Sequence, residues 1–322
     1  LAIYQRWSSE EHESAQVRRF NKKLARFPRF RMRNRFTPRL IQALLRLSQL
    51  GGGRKLARQG LRAETRRVGV EGDAVPVRII RPQGKAKALV LDFHGGGWVI
   101  GNAQMNDDLN VGMVKACDVI VVSVDYRLAI STPVEGVMDD CLNAARWLLD
   151  AQEFANLPVI VVGESAGGHL AVATLLQLQA WPELLRRISG AVLYYGVYDL
   201  MGTASVRAAG AETLVLDGPG MVDALRELTP GLSDEQRREP PLSPLHGDFE
   251  GFPPALMFVG ELDPLRDDTL ELAALWARSA EVEAALLPDC PHGFIHFPTA
   301  MAARVLSHSH DWITKRIDEC LL

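Results

Sequence analysis

The sequence predicts an α/β protein with a mostly parallel central sheet, helices on its flanks and a helical cap. Two patterns carry that expectation. Apolar runs of strand length recur at 88–93, 158–162, from 254 onward and at 283–288, and helix-length stretches separate them. The chain's 322 residues are 47% hydrophobic, enough to bury one large core, so a single catalytic domain suffices.

Residues 1–60 read as an N-terminal helical cap segment. Its clearest helix lies over 40–47, where apolar residues recur with amphipathic spacing. Gly51, Gly52 and Gly53 end the segment and read as a hinge, because no Lys-Ser/Thr follows to make a phosphate loop. The sheet then begins with a hairpin, 67–70 and 75–80, joined by Glu71, Gly72 and Asp73.

The run 88–93 leads into His94-Gly95-Gly96-Gly97-Trp98. Three successive glycines leave backbone N–H groups uncovered by side chains, and such a loop can bind an oxyanion. His94 reads as an anchor behind the loop. The run 158–162 leads into Gly163-Glu164-Ser165-Ala166-Gly167 and then a helix. This strand, sharp turn and helix holds a serine hydroxyl clear of both elements, with the positive end of the helix facing any negative charge that develops there.

A serine hydroxyl needs a base to take its proton and an acid to orient that base. The strand from 254 delivers Asp263 at its C-terminal end, ahead of the rivals Glu261, Asp267 and Asp268, the last two of which suit a helix start. After the final strand comes His292 in Pro291-His292-Gly293-Phe294. His169 on the elbow helix, His296, and His308 and His310 in the C-terminal helix are the rival bases. Cys290 reads as a small buried filler.

Together these segments resemble the hormone-sensitive-lipase-like branch of the α/β-hydrolases, and within it the bacterial acetyl esterases. The likeness runs from about Val75 to the C-terminus. It includes Val124-Asp125-Tyr126-Arg127-Leu128, Leu193-Tyr194-Tyr195-Gly196-Val197-Tyr198, Ser243-Pro244-Leu245 and the segment from Asp263 to Asp268. The resemblance implies a triad of Ser165, Asp263 and His292 and an oxyanion hole from the glycine loop, with Gly95 and Gly96, plus Ala166. It also implies hydrolysis of short acyl esters, with no metal or other cofactor. The chain departs from the family pattern at 129–135, and at Glu164, where Asp is commonest.

The catalytic domain is expected at 61–200 and 240–322, with a cap insertion at 201–239 packing beside residues 1–60 over the serine. Trp98 either shortens the acyl pocket or packs under the cap, and Tyr195, with Tyr194 and Tyr198, is expected to line the pocket. Amide hydrolysis on the same triad, or a binding protein or dehydratase of the same fold, are the alternatives.

Charge divides unevenly. Residues 1–60 hold fifteen Lys/Arg against three Asp/Glu, and the rest of the chain twenty-one against thirty-six. A basic helical cap on an acidic body accounts for this; no nucleic-acid motif accompanies the charge, so no nucleic-acid partner is expected. The partner is a small-molecule ester, with a homodimer as a candidate assembly. No stretch approaches the ~20 apolar residues of a membrane span, and Cys117, Cys141, Cys290 and Cys320 lack zinc or redox spacing. A cytoplasmic protein with reduced thiols is the expectation.

Overall fold

A computed structural model describes residues 4–31, 36–69 and 74–321. Its strands, in chain order, are β1 (Gln5–Arg6), β2 (Ala63–Val68), β3 (Val75–Ile80), β4 (Ala88–Phe93), β5 (Val119–Val124), β6 (Val159–Glu164), β7 (Ile188–Tyr194), β8 (Ala255–Gly260) and β9 (Val282–Leu287). They form one sheet in the order β1-β9-β8-β7-β6-β4-β5-β3-β2. Every pairing is parallel except the two made by β3.

β4, β5, β6 and β8 are buried along their whole length, which is why they read as continuous rather than alternating apolar runs. Successive side chains feed two cores: Leu89, Leu91 and Phe93 point to one, Ala88 and Val90 to the other.

The helices are α1 (Glu11–Leu24), α2 (Phe36–Ser48), α3 (Gly52–Arg58), α4 (Asp107–Cys117), α5 (Val134–Asp150), α6 (Ala166–Leu178), α7 (Pro182–Leu185), α8 (Ala204–Arg207), α9 (Met221–Leu228), α10 (Asp234–Arg238), α11 (Arg266–Trp276) and α12 (Ala300–Leu321). α5, α6 and α11 fill the core on one face, and α4 and α12 fill the other. None of the described helices is long and apolar enough to cross a membrane.

Three local expectations change. The hairpin begins earlier, at Ala63, and pairs Val68 with Val75; its expected turn at Glu71, Gly72 and Asp73 lies outside the described residues. Only Gly51 makes the break after α2, with φ +86°, whereas Gly52 and Gly53 open α3 rather than forming a hinge. The N-terminal segment is not wholly helical either, because Gln5 and Arg6 pair in parallel with Ala285 and Leu286 at the sheet edge.

The segment between α1 and α2 meets the stretch between α8 and α9 backbone to backbone. Phe30 N–H donates to Val215 O at 2.7 Å, Asp217 N–H to Phe30 O at 3.2 Å, and Arg29 Nε to Thr213 O at 2.6 Å. Arg31 pairs with Asp217 at 3.3 Å. Met32 and Arg33 of the basic stretch lie outside the described residues.

Candidate active site

Ser165 sits between β6 and α6 with φ 53° and ψ −122°, a conformation that L residues rarely adopt. The flanking glycines explain how so sharp a turn closes. A Cβ at Gly167 would overlap the carbonyl oxygen of Phe93, and one at Gly163 would overlap that of Gly167. Small residues are needed here for close approach, not for positive φ.

The elbow brings the expected residues together. Ser165 Oγ lies 2.9 Å from His292 Nε2, and His292 Nδ1 lies 2.9 Å from Asp263 Oδ2. Asp263 Oδ1 accepts the Leu265 N–H at 2.9 Å, which fixes the carboxylate beyond the end of β8. Asp263 and His292 are buried, while Ser165 is half-buried. A proton can therefore pass from serine to imidazole, with the carboxylate holding Nδ1–H in place.

The glycine loop is folded by a run of positive φ: Gly96 at 107°, Gly97 at 58° and Trp98 at 62°. A Cβ at Gly96 would overlap the carbonyl of Ile100, so only glycine closes this turn. His94 anchors it from behind, stacked on Tyr126 at 4.1 Å with Nδ1 2.7 Å from Gly95 O. Burial holds its pKa below the ordinary value, which favours the neutral ring.

The Gly95 N–H does not face the serine. It donates to Glu164 Oε1 at 3.2 Å. Among the described residues, the N–H groups of Gly96, Gly97 and Ala166 have no protein acceptor, and Gly97 lines the cleft beside Ser165. Gly95 is thus not a free donor, whereas the N–H groups of Gly96, Gly97 and Ala166 are free.

Glu164 is buried and also accepts from Tyr195 OH at 3.2 Å and His296 Nε2 at 3.1 Å. Burial alone would raise its pKa. The charge and hydrogen bond of His296, with the Gly95 N–H and the nearby His292, outweigh that and hold it at about 2. Burial likewise pulls His296 down, and Glu164 more than offsets this, leaving His296 above its usual value.

Tyr195 does not line the cleft. Its side chain is fully buried, with its ring 4.7 Å from that of His292 at 63°, so it supports the imidazole from beneath. Tyr194 OH donates to Ser309 Oγ, and Tyr198 is buried too. The segment after β7 is covered on both sides, which leaves only Val197 of this stretch at the cleft. Trp98 both walls the cleft and packs: its Nε1–H donates to His169 Nδ1 at 3.2 Å, and His169 Nε2 lies 2.9 Å from Leu242 O. Burial lowers the His169 pKa to about 4.

The rival acids are engaged elsewhere. Asp268 accepts Tyr198 N–H, Asp199 N–H and Thr203 Oγ, Asp267 accepts Ser205 N–H, and Glu261 pairs with Arg6. Cys290 is buried, and burial pushes its thiol up to about 12. No group of three metal-ligating side chains occurs among the described residues.

Above Ser165 lies a cleft walled by Trp98, Val197 and Leu265 from the sheet side, by Phe30 and Arg31, and by Leu216, Met221 and Leu225. These last two groups come from the N-terminal segment and the insertion. Both segments are expected from the sequence as a cap over the serine, but none of these residues is named there as a wall. Their apolar side chains have no distinctive spacing, and the backbone bridge that joins them was not legible.

Residues 90–296 match a family described as the α/β-hydrolase fold. The chain is 33% identical over 257 residues to the carboxylesterase NlhH of Mycobacterium tuberculosis, covering 76% of this chain and 78% of that one. The chain belongs to the α/β-hydrolase-fold family. Within that family it is also 33% identical over 236 residues to an ethyl acetate hydrolase of Pseudomonas putida, covering 70% of this chain and 73% of the relative. An esterase of the archaeon Pyrobaculum calidifontis superimposes with a TM-score of 0.78 at 26% identity, over 92% of this chain and 97% of its own. A hormone-sensitive lipase from a metagenome library does so at 0.75 and 27% identity, over 94% and 98%, so the hydrolase is of the hormone-sensitive-lipase-like branch.

Proposed function

We propose that this protein is a serine carboxylesterase that hydrolyses small-molecule esters through an acyl-enzyme. The observation that carries the reading is the hydrogen-bonded file from Ser165 Oγ through His292 to Asp263 at the floor of an apolar cleft. Relatives named carboxylesterase and ethyl acetate hydrolase support the same reaction class.

In this mechanism Ser165 Oγ attacks the ester carbonyl as His292 Nε2 takes its proton, and Asp263 stabilises the imidazolium. The carbonyl oxygen becomes an oxyanion, to which the N–H groups of Gly96, Gly97 and Ala166 donate. One such donor typically contributes about 3 kcal/mol to the transition state. His292 then protonates the leaving alkoxide, and a water activated by the same ring releases the acid. The reaction requires no metal or cofactor.

Residues 1–60 and 201–239 act as the cap over a catalytic domain of residues 61–200 and 240–322, since Phe30 and Leu216 come together on the cleft. Acyl groups from acetyl to butyryl fit the reading, with Trp98 as the wall that limits length. The free, buried Cys117, Cys141 and Cys290 suit a reducing cytoplasm, and no nucleic acid takes part.

A panel of p-nitrophenyl esters from acetyl to dodecanoyl, run beside one p-nitroanilide, tests the assignment. Turnover of the short esters with labelling of Ser165 by an organophosphonate is expected. Faster cleavage of the anilide would favour an amidase, and no turnover of any substrate would remove the hydrolase reading.

A further inference from the structure

Helix α2 presents Leu40, Leu44 and Leu47 to solvent and Gln42 to the protein, and Gln49, just past its end, faces the protein too. At 100° per residue, Leu40, Leu44 and Leu47 fall on one face and Gln42 and Gln49 on the opposite one. Leu40, Leu44 and Leu47 are 63%, 57% and 62% exposed, and Leu50, just beyond the helix, is 78% exposed. The orientation is pinned. Gln42 exchanges two hydrogen bonds with the backbone of Gly101, both 2.8 Å, and Gln49 exchanges two with the side chain of Asn102, also 2.8 Å. The helix cannot roll its leucines inward without breaking all four.

Charge accompanies the stripe. Arg39 and Arg46 are exposed on the flank of the leucines, and residues 14–60 contain fourteen Lys/Arg and no Asp or Glu. An apolar stripe bordered by arginines is the pattern of a helix lying in the interface of a lipid bilayer, with its leucines among acyl chains and its cations at anionic headgroups.

We propose that α2 docks this protein on anionic lipid surfaces, with Leu40, Leu44 and Leu47 inserted and Arg39 and Arg46 at the headgroups. A second copy of the chain fits the face less well. A symmetric pair would set the same patch against itself, bringing Arg39 and Arg46 toward their own copies. Nucleic acid would use the arginines and leave the leucines in water.

The test is co-sedimentation of the purified protein with phosphatidylglycerol or phosphatidylcholine vesicles, alongside hydrolysis of a soluble short ester as a check of folding. Wild type should pellet with phosphatidylglycerol vesicles and not with phosphatidylcholine, and high salt should release it. Leu40→Ser/Leu44→Ser/Leu47→Ser should weaken binding by about tenfold or more while ester turnover persists. Arg39→Gln/Arg46→Gln should weaken it by about thirtyfold. The proposal is overturned if wild type ignores phosphatidylglycerol, if the serine variant binds as tightly as wild type, or if both lipids bind equally. A wild-type dimer that the serine variant converts to a monomer, without vesicle binding, would assign the face to a second copy. A duplex-DNA shift without vesicle binding would assign the arginines to nucleic acid.

Discussion

Glu164 and His296 face one another at 3.1 Å across the base of the site, tying the residue before Ser165 to the loop that carries His292. Glu164 also receives the Gly95 N–H and the Tyr195 hydroxyl, so one carboxylate joins the elbow, the glycine loop and the support beneath His292. His296 has its pKa raised from 6.5, so its share of stability is full below pH 6.5 and is lost as pH rises through the raised value. Glu164 has its pKa lowered from 4.5 to about 2, so its share is full above pH 4.5 and is lost as pH falls toward 2. His296→Gln should therefore cost most between pH 4.5 and 6.5 and progressively less in alkaline solution. With the His296 side chain 38% exposed, a loss of about 1 kcal/mol is expected after screening. Thermal melts of both proteins from pH 4 to 10 check this, and a constant gap in melting temperature would contradict it.

Ser165→Ala should lower kcat by several orders of magnitude, roughly 10⁴ or more, with the fold intact. His292→Ala should be about as damaging, because serine and base act as a unit. The double variant should be no worse than either single one. Steady-state kinetics and circular dichroism on the three proteins decide the matter.

Gly96→Ala tests the oxyanion loop. The new methyl would collide with the Ile100 carbonyl in a backbone that already has φ 107°. The loop must shift, and a misaligned donor should lower kcat by roughly 10²–10³ with little change in KM. A loss confined to KM would argue that the loop binds substrate rather than stabilising charge.

Trp98→Ala should shift preference toward longer acyl chains, because the ring walls the cleft above Ser165. It should also destabilise by about 3–5 kcal/mol as a buried aromatic deletion. Trp98→Phe separates the two effects: it keeps much of the wall but leaves His169 Nδ1 without its donor, at about 1–3 kcal/mol. The ester panel and urea melts on both variants give the answer.

Removing a single hydroxyl addresses Tyr195. Tyr195→Phe keeps the ring under His292 and leaves Glu164 with its other two donors. A modest loss of stability, about 1–2 kcal/mol, with the acyl-length profile unchanged is the expected outcome. A changed profile would return Tyr195 to the pocket wall.

The central strands and the Ser165, Asp263 and His292 cluster were legible because each has a local signature: a fully apolar run, a glycine-flanked turn, or a polar residue just past a strand. The Gly95 N–H was misassigned because donor direction depends on the backbone torsions at His94 and Gly95 and on where the Glu164 side chain reaches, neither of which spacing reveals. Tyr195 misled for a related reason. An aromatic past a strand end can point into a cleft or under it, and its φ of 40° turns it beneath His292. The bridge of Phe30 with Leu216 joins residues far apart in the chain through backbone hydrogen bonds, which leave no signature in the identity of those two residues.

The two-residue strand β1 bears on how the molecule assembles. Its partners in β9 lie about 280 positions later, so during synthesis Gln5 and Arg6 cannot pair until Ala285 and Leu286 have been made. Contacts of such long sequence separation close slowly, after local structure has formed. Gln5 and Arg6 thus settle late, after the sheet edge that holds them has formed. A truncation that removes β9 and α12 would release not only His292 but also β1, which pairs with β9 at the sheet edge.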